Sequence, residues 1–146
     1  MELIQDFKEF LELLNKNEVE YLVIGGYAVI AYGYPRLTID IDVWVNPSID
    51  NSKKVIRTIE EFGFSFDNLT EDDFNKPDNV IQLGRAPNRI DILTSTEGLS
   101  FEECYKNKFV YDKNNLKIYF IGLDDLKKNK KLVGRYKDLD DLKNLK

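Results

Sequence analysis

The 146-residue chain contains no histidine and a single cysteine, Cys104. Without histidine, both the usual nitrogen ligand of zinc and the usual proton carrier near neutral pH are missing. One cysteine cannot close an internal disulfide. Any metal held here is therefore expected to be held by oxygen. Long apolar runs are also lacking. The longest, "YLVIGGYAVIAYGY", is broken by glycines and followed by Pro35, which speaks against a membrane span. The first residues, "MELIQDFKEF", are acidic where a signal peptide would be basic, so the expectation is a soluble, cytoplasmic protein. No repeat, low-complexity tract or linker interrupts the chain.

What is present suits one domain over residues 1–146, because 42% hydrophobic and 12% aromatic content supplies a single sizeable core. The net charge of −5 weakens the case for a broad cationic surface gripping nucleic acid. Charge is unevenly placed, however. Residues 1–123 carry 13 Lys and Arg against 21 Asp and Glu, whereas residues 124–146 carry 8 against 5. The basic tail reads either as a solvated amphipathic helix or as a local contact for phosphate.

The apolar spacing of Ile4, Phe7, Leu11 and Leu14 predicts an amphipathic helix, and the run ended by Gly25 and Gly26 predicts a strand over Tyr21 to Ile24. A buried helix starting at about Tyr27 follows and stops at "GYP". Val55, Ile56, Ile59 and Phe62 predict a further helix ending at Gly63, and the polar stretch after it reads as a loop with a helical turn. "VIQLG" and "RIDILT" flank "RAPN" as one hairpin, while "FVYD" and "LKIYFI" flank "KNN" as another, with a short helix around "SFEECYKN" between them. Two helical segments end the chain, with Gly134 allowing either a break or continuity.

The stretch "RLTIDIDVWV", residues 36–45, reads as a strand with two aspartates inside it. Alternation puts Thr38, Asp40, Asp42 and Trp44 on one face, and Ile39, Ile41, Val43 and Val45 on the other, core-forming face. In "RIDIL", Asp91 likewise opposes Ile90 and Ile92, so neighbouring strands would bring three carboxylates together. Carboxylates two residues apart on a strand lie roughly 7 Å from each other and repel by roughly 2 kcal/mol at an effective dielectric of about 20. Three such pairs approach a domain's whole stability margin, so something must compensate. Oxygen-binding Mg²⁺ is the natural candidate, against the plainer alternative of a solvated sheet face. Gly25 and Gly26, between a strand and a helix N-terminus, would let a phosphate approach the backbone.

The order "GGYAVIAYGYPRLTIDIDVWV", then "RIDIL", then "LDDLKKNKKLVGRYKDLDDL" resembles the DNA polymerase beta-like nucleotidyltransferases, and within them the small AbiEii-like, minimal branch. The resemblance covers most of the chain, with a gap over residues 63–78. It implies an α/β (α+β) nucleotidyltransferase fold with a mixed sheet and helices packed mainly on one face. It also implies that Asp40, Asp42 and Asp91 are catalytic and bind two Mg²⁺, with Mn²⁺ as a substitute. Gly25, Gly26, Lys130, Arg135 and Lys137 would serve the nucleoside triphosphate, with Asp138 orienting the cations. Arg36 and Thr38 could contact phosphate or ribose, or anchor the turn. Gly26 is a departure, since many members have serine there.

The implied activity is Mg²⁺-dependent transfer of a nucleoside monophosphate to a hydroxyl. The acceptor stays open between a tRNA end, a protein hydroxyl and a small molecule such as an aminoglycoside. The AbiEii-like resemblance further implies a toxin with a cognate antitoxin, and a second subunit in a homodimer could complete the acceptor site. A catalytically silent member that binds nucleotide or a partner, and a purely structural acidic face, are the alternatives from other classes.

Overall fold

The computed structural model describes residues 1–64, 68–85 and 87–145. Helix α1 spans Gln5–Lys16 and buries Phe7, Phe10, Leu11 and Leu14. Ile4 precedes the helix as its N-cap, and Phe10 takes the core position expected of it. Strand β1 (Tyr21–Ile24) leads directly into α2 (Gly25–Ala31), so the two glycines form the first turn of that helix rather than a turn before it.

Strand β2 is Ile41–Val45, shorter than the expected 36–45. Its pairing stops there for a physical reason. Ile24, the last residue of β1, pairs with Asp42, and β4 (Ile90–Leu93) begins opposite Ile41, so residues 36–40 have no neighbouring strand to join. Ile39 is consequently 49% exposed and not part of the core face expected for it. Trp44, on the carboxylate-bearing face, is buried and meets Phe101 edge-on. Both faces of the inner half of β2 are therefore packed.

Helix α3 (Ile49–Glu61) is capped by Ser48, whose hydroxyl accepts from the Asn51 backbone N–H at 3.2 Å. The short α4 (Asp72–Asn75) buries Phe74 within the otherwise polar stretch. Of the loop expected there, residues 65–67 lie outside the described residues, as does Ala86 of the expected "RAPN" turn. Strand β3 (Val80–Leu83) pairs antiparallel with β4 as expected. After α5 (Phe101–Lys106), β5 (Phe109–Lys113) and β6 (Leu116–Phe120) form the second hairpin. Its turn residues Asn114 and Asn115 have φ of 55° and 65°, the left-handed pair that a two-residue hairpin loop requires.

The six strands form one mixed sheet in the order β3-β4-β2-β1-β6-β5. β2 runs parallel to β4 and antiparallel to β1, and β1 runs parallel to β6. This is the mixed α/β sheet of the expected fold. The chain ends with α6 (Leu123–Val133) and α7 (Tyr136–Asn144). Gly134 breaks the helix between them at φ 68°, a left-handed C-cap that turns α7 back against α6. Among the described residues no helix is long and apolar enough to cross a membrane.

Candidate active site

The parallel register of β2 and β4 pairs Asp42 with Asp91, so both carboxylates leave the same side of the sheet from adjacent strands. Asp40, just before β2, lies two residues from Asp42. Ile24 of β1 faces Asp42 on the other side, which brings Gly25 against the same carboxylate. A Cβ at Gly25 would stand 2.3 Å from Asp42 Oδ2, and the glycine's φ of +69° disfavours any side chain. At Gly26 a Cβ would stand 2.8 Å from Thr38 Oγ1. The serine common at this position in the resembling family would therefore collide with Thr38 here, which accounts for the second glycine.

These residues line one cavity of about 350 Å³. Gly25, Gly26, Arg36, Thr38, Asp40, Asp42 and Asp91 enter it from the sheet side, and Lys130, Arg135 and Lys137 from the C-terminal helices. Every residue singled out in the sequence as catalytic or nucleotide-binding thus reaches the same space.

Their pairings separate them into groups. Lys130 is 3% exposed, and its ammonium contacts Asp138 at 3.1 Å and Asp141 at 2.9 Å. Asp141 also receives the Arg36 guanidinium, and Asp138 also receives Arg135 Nε at 2.6 Å. The two aspartates therefore clamp three cations and tie α6, α7 and the segment before β2 together. Burial pushes the Asp138 carboxyl upward, but the hydrogen bonds from Arg135 and Lys130 outweigh it and hold it below the usual carboxylate value. Thr38 Oγ1 donates to the Asp40 carbonyl at 3.2 Å, so it too anchors its turn. Lys137, by contrast, is exposed and makes no hydrogen bond or ion pair with the described residues.

Two site residues escaped the sequence reading: Asp141 and Arg89. Arg89 donates from Nε to Asp91 Oδ1 at 2.7 Å, and from Nη2 to Asp91 Oδ2 at 3.0 Å and Asp40 Oδ2 at 2.9 Å. The signal was present, because Arg89 stands two residues before Asp91 and so faces the same way. Part of the compensation that the acidic face demanded is thus supplied by the chain itself.

Asp42 has no such help. It accepts no hydrogen bond from the described residues. Burial, then the charges of Asp91 and Asp40, push its carboxyl up to about 6 against a partial pull from Lys137 and Lys130. Asp40 Oδ1 is buried and likewise has no partner among the described residues. An oxygen that is buried and bare, beside a carboxylate that holds its proton too tightly, suits a hard cation. Among the described residues no three acidic or cysteine side chains stand as a ready-made chelating cluster. Asp40 and Asp91 are turned toward Arg89 instead.

Over residues 1–146 the chain matches the model of a family described as "Nucleotidyltransferase of unknown function (DUF6036)". No curated protein matches it in sequence. Solved structures of similar fold include a Thermotoga maritima protein provisionally described as a nucleotidyltransferase. It superposes with a TM-score of 0.63 at 16% identity over 94% of this chain and 88% of its own. Another is the lincosamide antibiotic adenylyltransferase LnuA in a lincomycin-bound structure, with a TM-score of 0.61 at 19% identity over 98% of this chain and 96% of its own.

Proposed function

The chain belongs to this family of nucleotidyltransferases, and from that membership we propose that it transfers a nucleoside monophosphate from a nucleoside triphosphate to a hydroxyl acceptor, using Asp40, Asp42 and Asp91. The observation that carries the proposal is the single cavity in which three carboxylates, a glycine pair and the cations of the C-terminal helices meet.

Asp40, Asp42 and Asp91 would hold Mg²⁺ or Mn²⁺, and the bare Asp40 Oδ1 and unbonded Asp42 carboxylate support that assignment. When bound, such an ion neutralises phosphate charge and polarises the reacting oxygens. The other roles belong to the chain. Gly25 and Gly26 bring backbone to the cavity wall where a phosphate could meet it, and their missing side chains make room for Asp42 and Thr38 beside it. Lys137, with no ion pair to give up, meets the triphosphate, and Arg135 lies beside it on the same wall. The acceptor oxygen bonds to the α-phosphorus as the pyrophosphate oxygen leaves, and the hydroxyl proton passes to a carboxylate. Asp91 is the sequence-based choice for that proton. Arg89 bonds both oxygens of Asp91 in the unliganded protein, so it has to release them before Asp91 can take the proton.

For the acceptor we propose a small hydroxylated molecule ahead of a protein or a tRNA end. The net charge of −5 argues against RNA, and LnuA, with the same fold and almost the same length, is an antibiotic adenylyltransferase. The finer AbiEii-like assignment, with a toxin role and a cognate antitoxin, rests on the sequence motif alone. A homodimer completing the acceptor site is a proposal of the same standing. A second functional reading, nucleotide binding without turnover, is favoured by one observation: Arg89 engages two of the three carboxylates. Incubating the protein with α-labelled nucleotide, Mg²⁺ and separate pools of hydroxylated small molecules, protein and tRNA tests the transfer, the acceptor and the silent reading. Label in the small-molecule pool supports the proposal, label elsewhere reassigns the acceptor, and bound but untransferred nucleotide supports the silent reading.

A further inference from the structure

We infer that Arg89 is an internal counter-cation that competes with a divalent ion for Asp40 and Asp91, so that a metal binds only as the guanidinium is displaced. The inference rests on the proposed function for the identity of the competing ion. It rests on geometry for the rest.

Arg89 sits immediately before β4, and its backbone carbonyl accepts from the Ile41 N–H at 3.1 Å, which fixes the base of its side chain between the two acidic segments. From there one planar guanidinium spans both. Its Nε and Nη2 take the two oxygens of Asp91 in a forked pair, and Nη2 also reaches Asp40 Oδ2 at 2.9 Å. Fork-on-carboxylate pairing is the strongest geometry open to an arginine, and it already neutralises the negative charge that would draw a metal ion. Of the oxygens on these two residues only Asp40 Oδ1 is left bare and buried. A guanidinium and a divalent ion on the same three oxygens repel each other, so the two compete for them.

Among the described residues no other cation of the cavity is arranged this way. Arg36 and Lys130 are held by Asp141, and Lys130 and Arg135 by Asp138, on the helical side. Those pairs leave the sheet carboxylates untouched. The Arg89 side chain is 29% exposed, so it has a path to solvent, whereas Lys130 at 4% has none. Arg89 is thus a removable cation and Lys130 a fixed one. Asp42 accepts no hydrogen bond from Arg89, so its carboxylate joins the ligand set as soon as Asp40 and Asp91 are released. Displacement also frees a positive group on the cavity wall, where an incoming triphosphate can take it up. Metal and nucleotide should therefore bind cooperatively, each paying part of the cost of opening the Arg89 pair.

The test is a titration of Mn²⁺, followed by the loss of its free-ion electron paramagnetic resonance signal, into wild type, Arg89→Gln and Arg89→Lys, with and without a non-hydrolysable nucleotide. Without nucleotide, Arg89→Gln should bind Mn²⁺ about tenfold tighter than wild type, and Arg89→Lys should lie between, because one ammonium cannot bridge both carboxylates. Nucleotide should tighten Mn²⁺ binding more in wild type than in Arg89→Gln. Unchanged or weaker Mn²⁺ binding by folded Arg89→Gln overturns the inference and makes Arg89 a residue that merely positions Asp91. If Arg89→Gln does not fold, Arg89→Lys decides alone: tighter binding than wild type supports the competition, and equal or weaker binding overturns it. Transfer of α-labelled nucleotide by wild type is measured in parallel. Transfer with Mn²⁺ affinity indifferent to residue 89 sinks the inference and leaves the proposed function standing, while absence of transfer together with tighter binding in the variants does the reverse.

Discussion

Asp42 on β2 and Asp91 on β4 are register partners on adjacent parallel strands, but only Asp91 is paired with a cation. The asymmetry leaves Asp42 with a carboxyl pushed up to about 6 by burial and by its two acidic neighbours. Between its ordinary value and about 6 the folded protein then binds more protons than the unfolded chain. Stability should therefore fall as pH rises through that window, by at most about 3 kcal/mol for this group. Urea unfolding of metal-free protein across this range measures it. Asp42→Asn should flatten the decline relative to wild type, and parallel profiles would show that Asp42 is not strained by its neighbours.

Asp40→Asn and Asp42→Asn should each abolish transfer with the fold intact, because an amide matches the volume of the carboxylate and removes a metal ligand. Their metal-free stabilities should differ. Asp42→Asn removes a repelling charge and gains stability, whereas Asp40→Asn also gives up the partly exposed pair with Arg89, worth up to about 1 kcal/mol. Circular dichroism melts beside the transfer assay separate the two effects, and loss of folding in both variants would make the pair structural.

The two lysines of the C-terminal helices should behave oppositely. Lys130→Ala takes the shared cation from the buried carboxylates of Asp138 and Asp141, which keep Arg135 and Arg36, so a loss of about 1–3 kcal/mol is expected in denaturant unfolding. Lys137→Ala removes an unpaired, exposed cation and should leave stability alone while weakening binding of a non-hydrolysable nucleotide about tenfold. The reverse pattern would return Lys130 to the triphosphate-binding role that the sequence motif implied for it.

How far the sequence spoke for the structure depends on whether a neighbour was needed. The "KNN" turn was legible because asparagine tolerates the left-handed backbone, and β1 because two glycines end it. Alternation through "RLTIDIDVWV" was followed too far in both directions. Sheet pairing stops at Ile41, which leaves Ile39 exposed, and Trp44 packs on Phe101 although it lies on the carboxylate side. The three catalytic candidates were legible as an unbalanced charge. Their counter-ion was not, although Arg89 stands two residues before Asp91 in the sequence, because pairing it with Asp40 requires knowing that β2 and β4 are adjacent. The clamp of Asp138 and Asp141 on Lys130 depends in the same way on α7 folding back at Gly134.

The glycine pair should tolerate little. Gly25→Ala drives a methyl into the Asp42 carboxylate at a positive φ, and Gly26→Ser presses on Thr38. Each should cost about 1–3 kcal/mol in unfolding experiments, from overpacking in both and from the left-handed backbone at Gly25. Nucleotide affinity should fall with it, measured by calorimetric titration. Wild-type affinity in both variants would remove the glycine turn from the site.

The most direct measurement is transfer of label from an α-labelled nucleoside triphosphate to a hydroxylated small molecule, by wild type and Asp42→Asn, in the presence of Mg²⁺ and after its chelation. The prediction is a labelled acceptor and released pyrophosphate with wild type and Mg²⁺ alone, and neither with chelator or with Asp42→Asn. Transfer that persists in Asp42→Asn, or that ignores chelation, would contradict a metal-assisted reaction carried by this carboxylate site.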